Sequence, residues 1–334
     1  VVVAVRIAAL VHYYVPHYMA GSETMLHAML RALAVAGHEV EAVVTEHRRG
    51  PDEYVHEGVR VRRAVRGRPV PAILDAIGAD VLVSHHQEAP HASHYAARAR
   101  RRGEPAPAVA HVAHNTFPAS LAVTRRWRPD LLVFNTVWVR EHFARRRAIP
   151  PGSRTLVVHP PVWPDEHRVD QHGDAVTLVN LNRDKGGEIL YRLADRMPDM
   201  QFAGVVGGHG PQIVRDLPNV EIIQHTAQMR RDVWPRTRLL IMPSIYESYG
   251  MAGVEAMASG IPVIAAPTPG LREALGDAGM FVERGDLGGW ERQIRRLLDP
   301  VEWETASTAA LKRSVELDPR EELAAWVQVV ESLS

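Results

Sequence analysis

Short apolar runs alternate with helix-period stretches along almost the whole chain, and the alternation breaks once. The first run, Val1 to Val11, leads through a polar loop into a stretch where Met25, Leu26, Met29, Leu30 and Leu33 follow i, i+3, i+4 spacing; Gly37 ends it and EVEAVVT follows. The runs DVLVSHH, PAVAHVAH, DLLVFNT and RTLVVHPP continue the pattern with helical or polar segments between them. Strands separated by helices imply a parallel sheet, because parallel neighbours need a long crossover. From His159 to Asp174 the chain reads HPPVWPDEHRVDQHGD, rich in proline and charge, as a linker would. Alternation then restarts with AVTLVNL, MQFAGVVG, NVEIIQH, RLLIMPS and IPVIAA. The expected fold is α/β, with two doubly wound domains facing across a cleft. They span residues 1–163 and 164–312, and residues 313–334 hold an amphipathic helix that could pack on either domain.

A chain of 334 residues has room for two cores of ordinary size. VVVAVRIAAL is too short, and too soon followed by His12 and Tyr13, for a signal peptide or a membrane span, so a cytoplasmic protein is expected. The lack of cysteine excludes disulfides and thiolate metal sites. Formal charge is zero but unevenly spread: 21 arginines against 13 acidic residues up to Trp163 give +8, and 18 basic against 26 acidic residues beyond it give −8. A positive first half could draw an acidic acceptor or make weak contact with an anionic membrane surface. Stretches such as ARARRRGE could equally be solvated faces. No aromatic-interleaved basic motif accompanies the arginines, so nucleic acid is not an expected partner.

Chemistry concentrates in a few loops. In ESYGMAGVEAMASGIPVIA, Glu247 lies in a turn after an apolar strand and Glu255 about two turns along the helix that follows. The interval alone carries nothing, since Glu283 and Glu291 repeat it without that setting. The strand, loop, helix, strand order puts Glu247 beyond a strand's carboxyl end, where such sheets bind ligands. The amides of Tyr249, Gly250, Met251 and Ala252 would open the helix there and favour an anion. Alternatively, Glu247 only complements the helix dipole and Glu255 is a solvated helix residue. The loop HYYVPHYMAGSE puts Gly21 and Ser22 just before the first helix, and NLNRDKGGEIL puts Asn182, Arg183 and Lys185 before another. Lys185 stands out because Lys312 is the only other lysine, and a compact ammonium suits a phosphate better than a planar fork does. His85, His86, His91, His94, His111 and His114 invite a metal reading, but His111 and His114 on one strand would point to opposite faces. His114, at a strand end, could face a cleft or bond to backbone. No metal site is expected, nor does a G-x-S-x-G or G-x-G-x-x-G occur.

Taken together, AGSE (20–23), HN (114–115), HPPV (159–162), DKGG (184–187), GGHGP (207–211) and PSIYESYGMAGVEAMASGIPVIA make the chain resemble the retaining glycosyltransferases of family four, with the GT-B fold. That resemblance implies transfer of a sugar from a nucleotide diphosphate, UDP first among them, to a hydroxyl of a small-molecule or oligosaccharide acceptor, with retention and without metal or cofactor. It implies that Glu247 holds the donor sugar, that Gly250, Met251 and Ala252 bind sugar and diphosphate through their amides, and that Glu255 binds the ribose. Lys185 would neutralise the diphosphate, Gly21 and Ser22 would approach it, and His114 would lie near the transferred sugar. Thr226 and Met229, in HTAQM, fall where the base lies. Asn180 stands where members commonly have arginine, and Arg183 could supply that charge. The likeness within the family is to transferases of avilamycin-type oligosaccharide antibiotic pathways, which implies antibiotic biosynthesis. A nucleotide-sugar epimerase of the same fold, or a nucleotide-binding protein without transfer activity, are the alternatives.

Overall fold

The structure, a computed structural model, describes residues 4–46, 50–65, 67–208 and 210–334. Val1 to Val3 of the first expected strand, and His209 of the GGHGP segment, lie outside the described residues. The chain divides into two compact units, residues 1–161 with 319–334 and residues 162–318.

In the first unit the strands are β1 (Arg6–Val11), β2 (Glu39–Val44), β3 (Glu53–His56), β4 (Val59–Arg63), β5 (Val81–His85), β6 (Ala108–Ala113), β7 (Leu131–Phe134) and β8 (Arg154–Val157). They lie in the order β3-β4-β2-β1-β5-β6-β7-β8. Every pairing is parallel except that of β3 with β4. That hairpin departs from the expected all-parallel pattern. Its sequence, EYVHEGVRVRR, is too charged to register as an apolar run. Glu57 and Gly58 close it at φ of 45° and 85°, the two positive values that a two-residue turn needs to follow the strand twist.

The strands of the second unit are β9 (Ala175–Val179), β10 (Phe202–Val205), β11 (Val220–Ile223), β12 (Thr237–Met242), β13 (Val263–Ala265) and β14 (Met280–Phe281), in the order β11-β10-β9-β12-β13-β14 and all parallel. Alternate residues feed two cores, as the strand period of two requires. Leu239 and Ile241 pack with Ile189, Leu190 and Leu193 of the helix Gly187–Arg196 on one face. Leu240 and Met242 pack with Val254 and Met257 of the helix Met251–Ala258 on the other. Because both faces are covered, the strands read as continuous apolar runs.

The helix Arg320–Glu331 belongs to the first unit. Buried Trp326 donates its indole N–H to the Met29 carbonyl at 3.1 Å, and Glu322 accepts from the His159 amide at 2.7 Å. The expected boundary at residue 312 is corrected, since it cuts the helix Pro300–Glu316. That helix stays with the second unit through Ser307 Oγ to the Gly260 carbonyl, 2.7 Å, and the Arg313 guanidinium to the carbonyls of Glu273 and Ala274. Pro319 follows its end. Among the described residues no helix is long and apolar enough to cross a membrane.

Candidate functional site

The strand order of the second unit reverses between β9 and β12, which are neighbours in the sheet. The helices that follow two such strands lie on opposite faces, so a crevice opens at their carboxyl ends. Lys185 comes from the loop after β9 and Glu247 from the loop after β12. Lys185 Nζ pairs with Glu247 Oε1, the same oxygen that accepts from Ser244 Oγ at 3.1 Å.

Both loops are held close. The Ile245 amide donates to the Asp184 carbonyl at 2.8 Å, and Asn182 Oδ1 accepts from the Lys185 amide at 2.8 Å. Arg284, from the turn after β14, donates Nε to the Pro243 carbonyl at 2.8 Å and a terminal nitrogen to the Arg183 carbonyl at 2.9 Å. One guanidinium therefore spans the two loops. Gly186, at φ 102°, lets them approach: a Cβ there would meet Pro243 Cγ at 2.4 Å. We expect Arg284→Ala to cost about 1–2 kcal/mol in chemical denaturation. An unchanged denaturation midpoint would show that the loops hold their spacing without it.

The helix Met251–Ala258 begins beside this pair, capped by Gly250 at φ 101°. A side chain at Gly250 would also press on Leu271 Cδ2, 2.6 Å from an added Cβ. First-turn amides have no intrahelical acceptor, so those of Met251 and Ala252 present positive partial charge beside Lys185. Tyr249, just before the cap, is buried. Glu255 is half-buried rather than solvated, and no hydrogen bond or ion pair holds its carboxyl among the described residues. Burial pushes that carboxyl up to about 7.

Other expected residues have different surroundings. Arg183 is not brought into this group; its side chain is 77% exposed and reaches Glu188 at 3.3 Å, because the loop turns it outward before the helix. Asn180, at φ 73°, accepts at its Oδ1 from the Asn182 amide and from Gln212 Nε2, which shapes the turn there. Thr226 accepts from the Gln228 amide and donates to Asp232 in the segment after β11, and Met229 starts the short helix there. Gly21 opens the first long helix, Gly21–Val35, and Ser22 Oγ donates to Glu23 at 2.8 Å, both in the first unit. His114 follows β6 and pairs through Nε2 with His85 Nδ1 at 3.2 Å, whereas His111 turns to Ser84 Oγ at 3.1 Å. Three sets among the described residues of this unit, His85/His86/His114, His12/Glu23/His85 and His27/His56/Glu57, have potential ligand atoms within 4.8 Å of one another, and could hold a divalent transition metal.

Sequence reasoning passed over Ser244 and Arg284. Each is one common residue among many, and only its partners mark it.

Sequence comparison acts on the same region. Residues 180–300 match the family model described as glycosyl transferases group 1. The match falls wholly within the second unit. A D-inositol 3-phosphate glycosyltransferase of Mycobacterium sp. (strain KMS) is 31% identical over 197 residues, 51% of this chain and 45% of that protein. The chain thus spans about half the length of the curated relatives it matches. Among solved structures, sucrose-phosphate synthase from Thermosynechococcus elongatus superposes with a TM-score of 0.74 at 18% identity, covering 96% of each chain. Anabaena HepE in complex with UDP and glucose gives 0.75 at 15% identity, covering 98% of each. The likeness establishes the fold: two Rossmann-like parallel-sheet units, as in the GT-B glycosyltransferases.

Proposed function

We propose that the chain is a retaining glycosyltransferase that moves a sugar from a nucleotide diphosphate, UDP by preference, to an acceptor hydroxyl. The observation that carries this reading is the Lys185–Glu247 pair at the switch point of the second unit, beside the first turn of Met251–Ala258 and the unpartnered Glu255 carboxyl. Lysine and amides suit a diphosphate, and carboxylates suit the hydroxyls at either end of a nucleotide sugar. Supporting it are the group 1 match over residues 180–300 and a structural neighbour that binds UDP and glucose.

Donor binding exchanges partners. Lys185 leaves Glu247 for the diphosphate, and Glu247 takes sugar hydroxyls in place of the ammonium. The bond from the anomeric carbon to phosphate oxygen breaks while a bond to the acceptor oxygen forms on the same face. The acceptor proton passes to the departing phosphate oxygen. Developing charge on the diphosphate is met by Lys185 and the helix amides, preorganised before the reaction. With that charge supplied by the protein, we propose that no metal takes part in the transfer. Antibiotic biosynthesis, the setting we propose, rests on the sequence resemblance.

The test is thermal unfolding with UDP, GDP, ADP, dTDP and CDP, each with and without EDTA. UDP at a hundred times its dissociation constant is expected to stabilise by about 2.7 kcal/mol, equally in EDTA. No response to any diphosphate would overturn the donor reading, and loss of the UDP response in EDTA would overturn the metal-free mechanism. Consumption of UDP-sugar without an acceptor, with an altered sugar released, would point to an epimerase.

A further inference from the structure

At the β3–β4 edge of the first unit's sheet, the hairpin meets the helix Gly21–Val35 through His27, His56 and Glu57. We propose that these three side chains bind a divalent transition metal, zinc foremost, as a clip that ties the hairpin to the helix and takes no part in sugar transfer.

His27 comes from the middle of that helix, His56 ends β3 and Glu57 opens the turn into β4. Each offers one ligand atom, and those atoms all lie within 4.8 Å of one another. His27 Nε2 and Glu57 Oε2 are 3.5 Å apart. Zinc bonds of about 2.1 Å at tetrahedral angles set neighbouring ligand atoms about 3.4 Å apart, so this edge already has the span a metal needs. The His56 ring lies 4.7 Å from that of His27 and completes a set of two imidazoles and one carboxylate. Such donors suit zinc, nickel or copper rather than magnesium or calcium.

The environment of His27 is that of a ligand. The residue is 8% exposed, yet its Nε2 has no hydrogen-bond partner among the described residues. Buried polar atoms normally find one. Its other nitrogen, Nδ1, is held by the hydroxyl of fully buried Tyr14 at 2.9 Å, the kind of outer partner that fixes a ligating imidazole. With the ring proton donated to Tyr14, the Nε2 lone pair faces the Glu57 carboxylate, and a cation between the two satisfies both.

Glu57 also breaks a local rule. Two-residue turns of this geometry favour Asn, Asp or Gly at the first position, where Glu57 sits at φ 45°. Its extra methylene, relative to aspartate, gives the carboxylate the reach to His27. Arg31 Nε shares Oε2 at 3.2 Å, but that side chain is 43% exposed and yields the oxygen by turning into solvent. Both other histidine sets of this unit include His85, which is fully buried, and His85 Nδ1 is bonded to His114 Nε2. Here the Glu57 side chain is 49% exposed, so an ion can enter and water can complete its coordination. Tyr54 of β3 donates to the Val15 carbonyl at 2.8 Å, so the clip would also anchor the loop after β1.

Zinc titration of the EDTA-stripped full chain, followed by side-chain NMR of its histidines, tests this. One equivalent is expected to shift His27 and His56 saturably at about 10 μM zinc. In hundredfold excess over its dissociation constant, zinc should raise the thermal midpoint by about 5 °C. Tyr14→Phe, which removes only the hydroxyl, should weaken zinc about tenfold; His56→Ala and Glu57→Asn should each weaken it further. Asparagine suits the turn, so Glu57→Asn keeps the test open if His56→Ala does not fold. His86→Asn should leave zinc binding at His27 unchanged. No zinc response, shifts confined to His12, His85, His86 and His114, or undiminished affinity in Glu57→Asn overturns the proposal. The site is independent of the donor reading: zinc should raise the midpoint without UDP and leave the added effect of UDP as it was. A UDP response seen only with zinc would overturn the placing of this metal outside the transfer.

Discussion

Replacing Lys185 with alanine is expected to lower sugar transfer at saturating UDP-sugar by at least about a hundredfold, a loss of roughly 2.7 kcal/mol in transition-state stabilisation. The ammonium is the cationic side chain paired to Glu247 at the switch point, and in the proposed transfer the departing diphosphate gains charge as its bond to the anomeric carbon breaks. Its partial exposure argues for a ligand-facing role, because a purely structural pair would gain little at a surface. Lys185→Arg should recover only part of the rate, since a planar fork cannot occupy the place of a compact ammonium. Circular dichroism and UDP affinity serve as controls for folding. Turnover near wild type in a folded Lys185→Ala protein would remove this residue from the mechanism.

Glu255 gives the second large effect, and its sign is fixed by protonation. In the free protein burial pushes its carboxyl up to about 7, so at pH 6 it is mostly protonated. In the proposed donor complex the ribose hydroxyls donate best to the ionised form, so nucleotide binding there expels the proton. UDP affinity should therefore rise as pH rises toward 7, by up to about tenfold per unit, and level off above it. Calorimetry in buffers of different ionisation enthalpy should show one proton released near pH 6. Stability runs the opposite way. The folded value lies above the unfolded value of 4.5, so the ionised carboxyl costs stability that grows as pH rises from 4.5 through 7. Glu255→Gln should accordingly stabilise the protein at pH 8, by about 3 kcal/mol at most, and leave it unchanged at pH 4. The same variant should weaken UDP and flatten its pH profile. A flat profile in the wild-type protein would remove Glu255 from the ribose.

Much of the candidate site was legible in the chain. The turn after an apolar strand, Gly250 before a helix and two carboxylates eight positions apart are local features, set by spacing and backbone conformation. Lys185 could be singled out by its rarity alone. How Arg183 and Asn180 are turned was not legible, because the direction of a loop side chain depends on the turn around it, and Gln212, 32 residues from Asn180, completes that turn. Arg284 was invisible. Its carbonyl partners lie 41 and 101 residues away, and nothing nearby in sequence distinguishes it from any other arginine.

By itself, then, the sequence determined the alternation of strands and helices, its restart after a proline-rich break, and the identity of the residues that open the helix Met251–Ala258. Hydrophobic period, proline and glycine act over a few residues, so they can be read in order. Only the tertiary structure decided that Lys185 meets Glu247 across 62 residues and that the last helix joins the first unit. Those outcomes follow from which strands become neighbours. Strand order is settled by helices competing for the two faces of each sheet, and no short stretch of sequence records that competition.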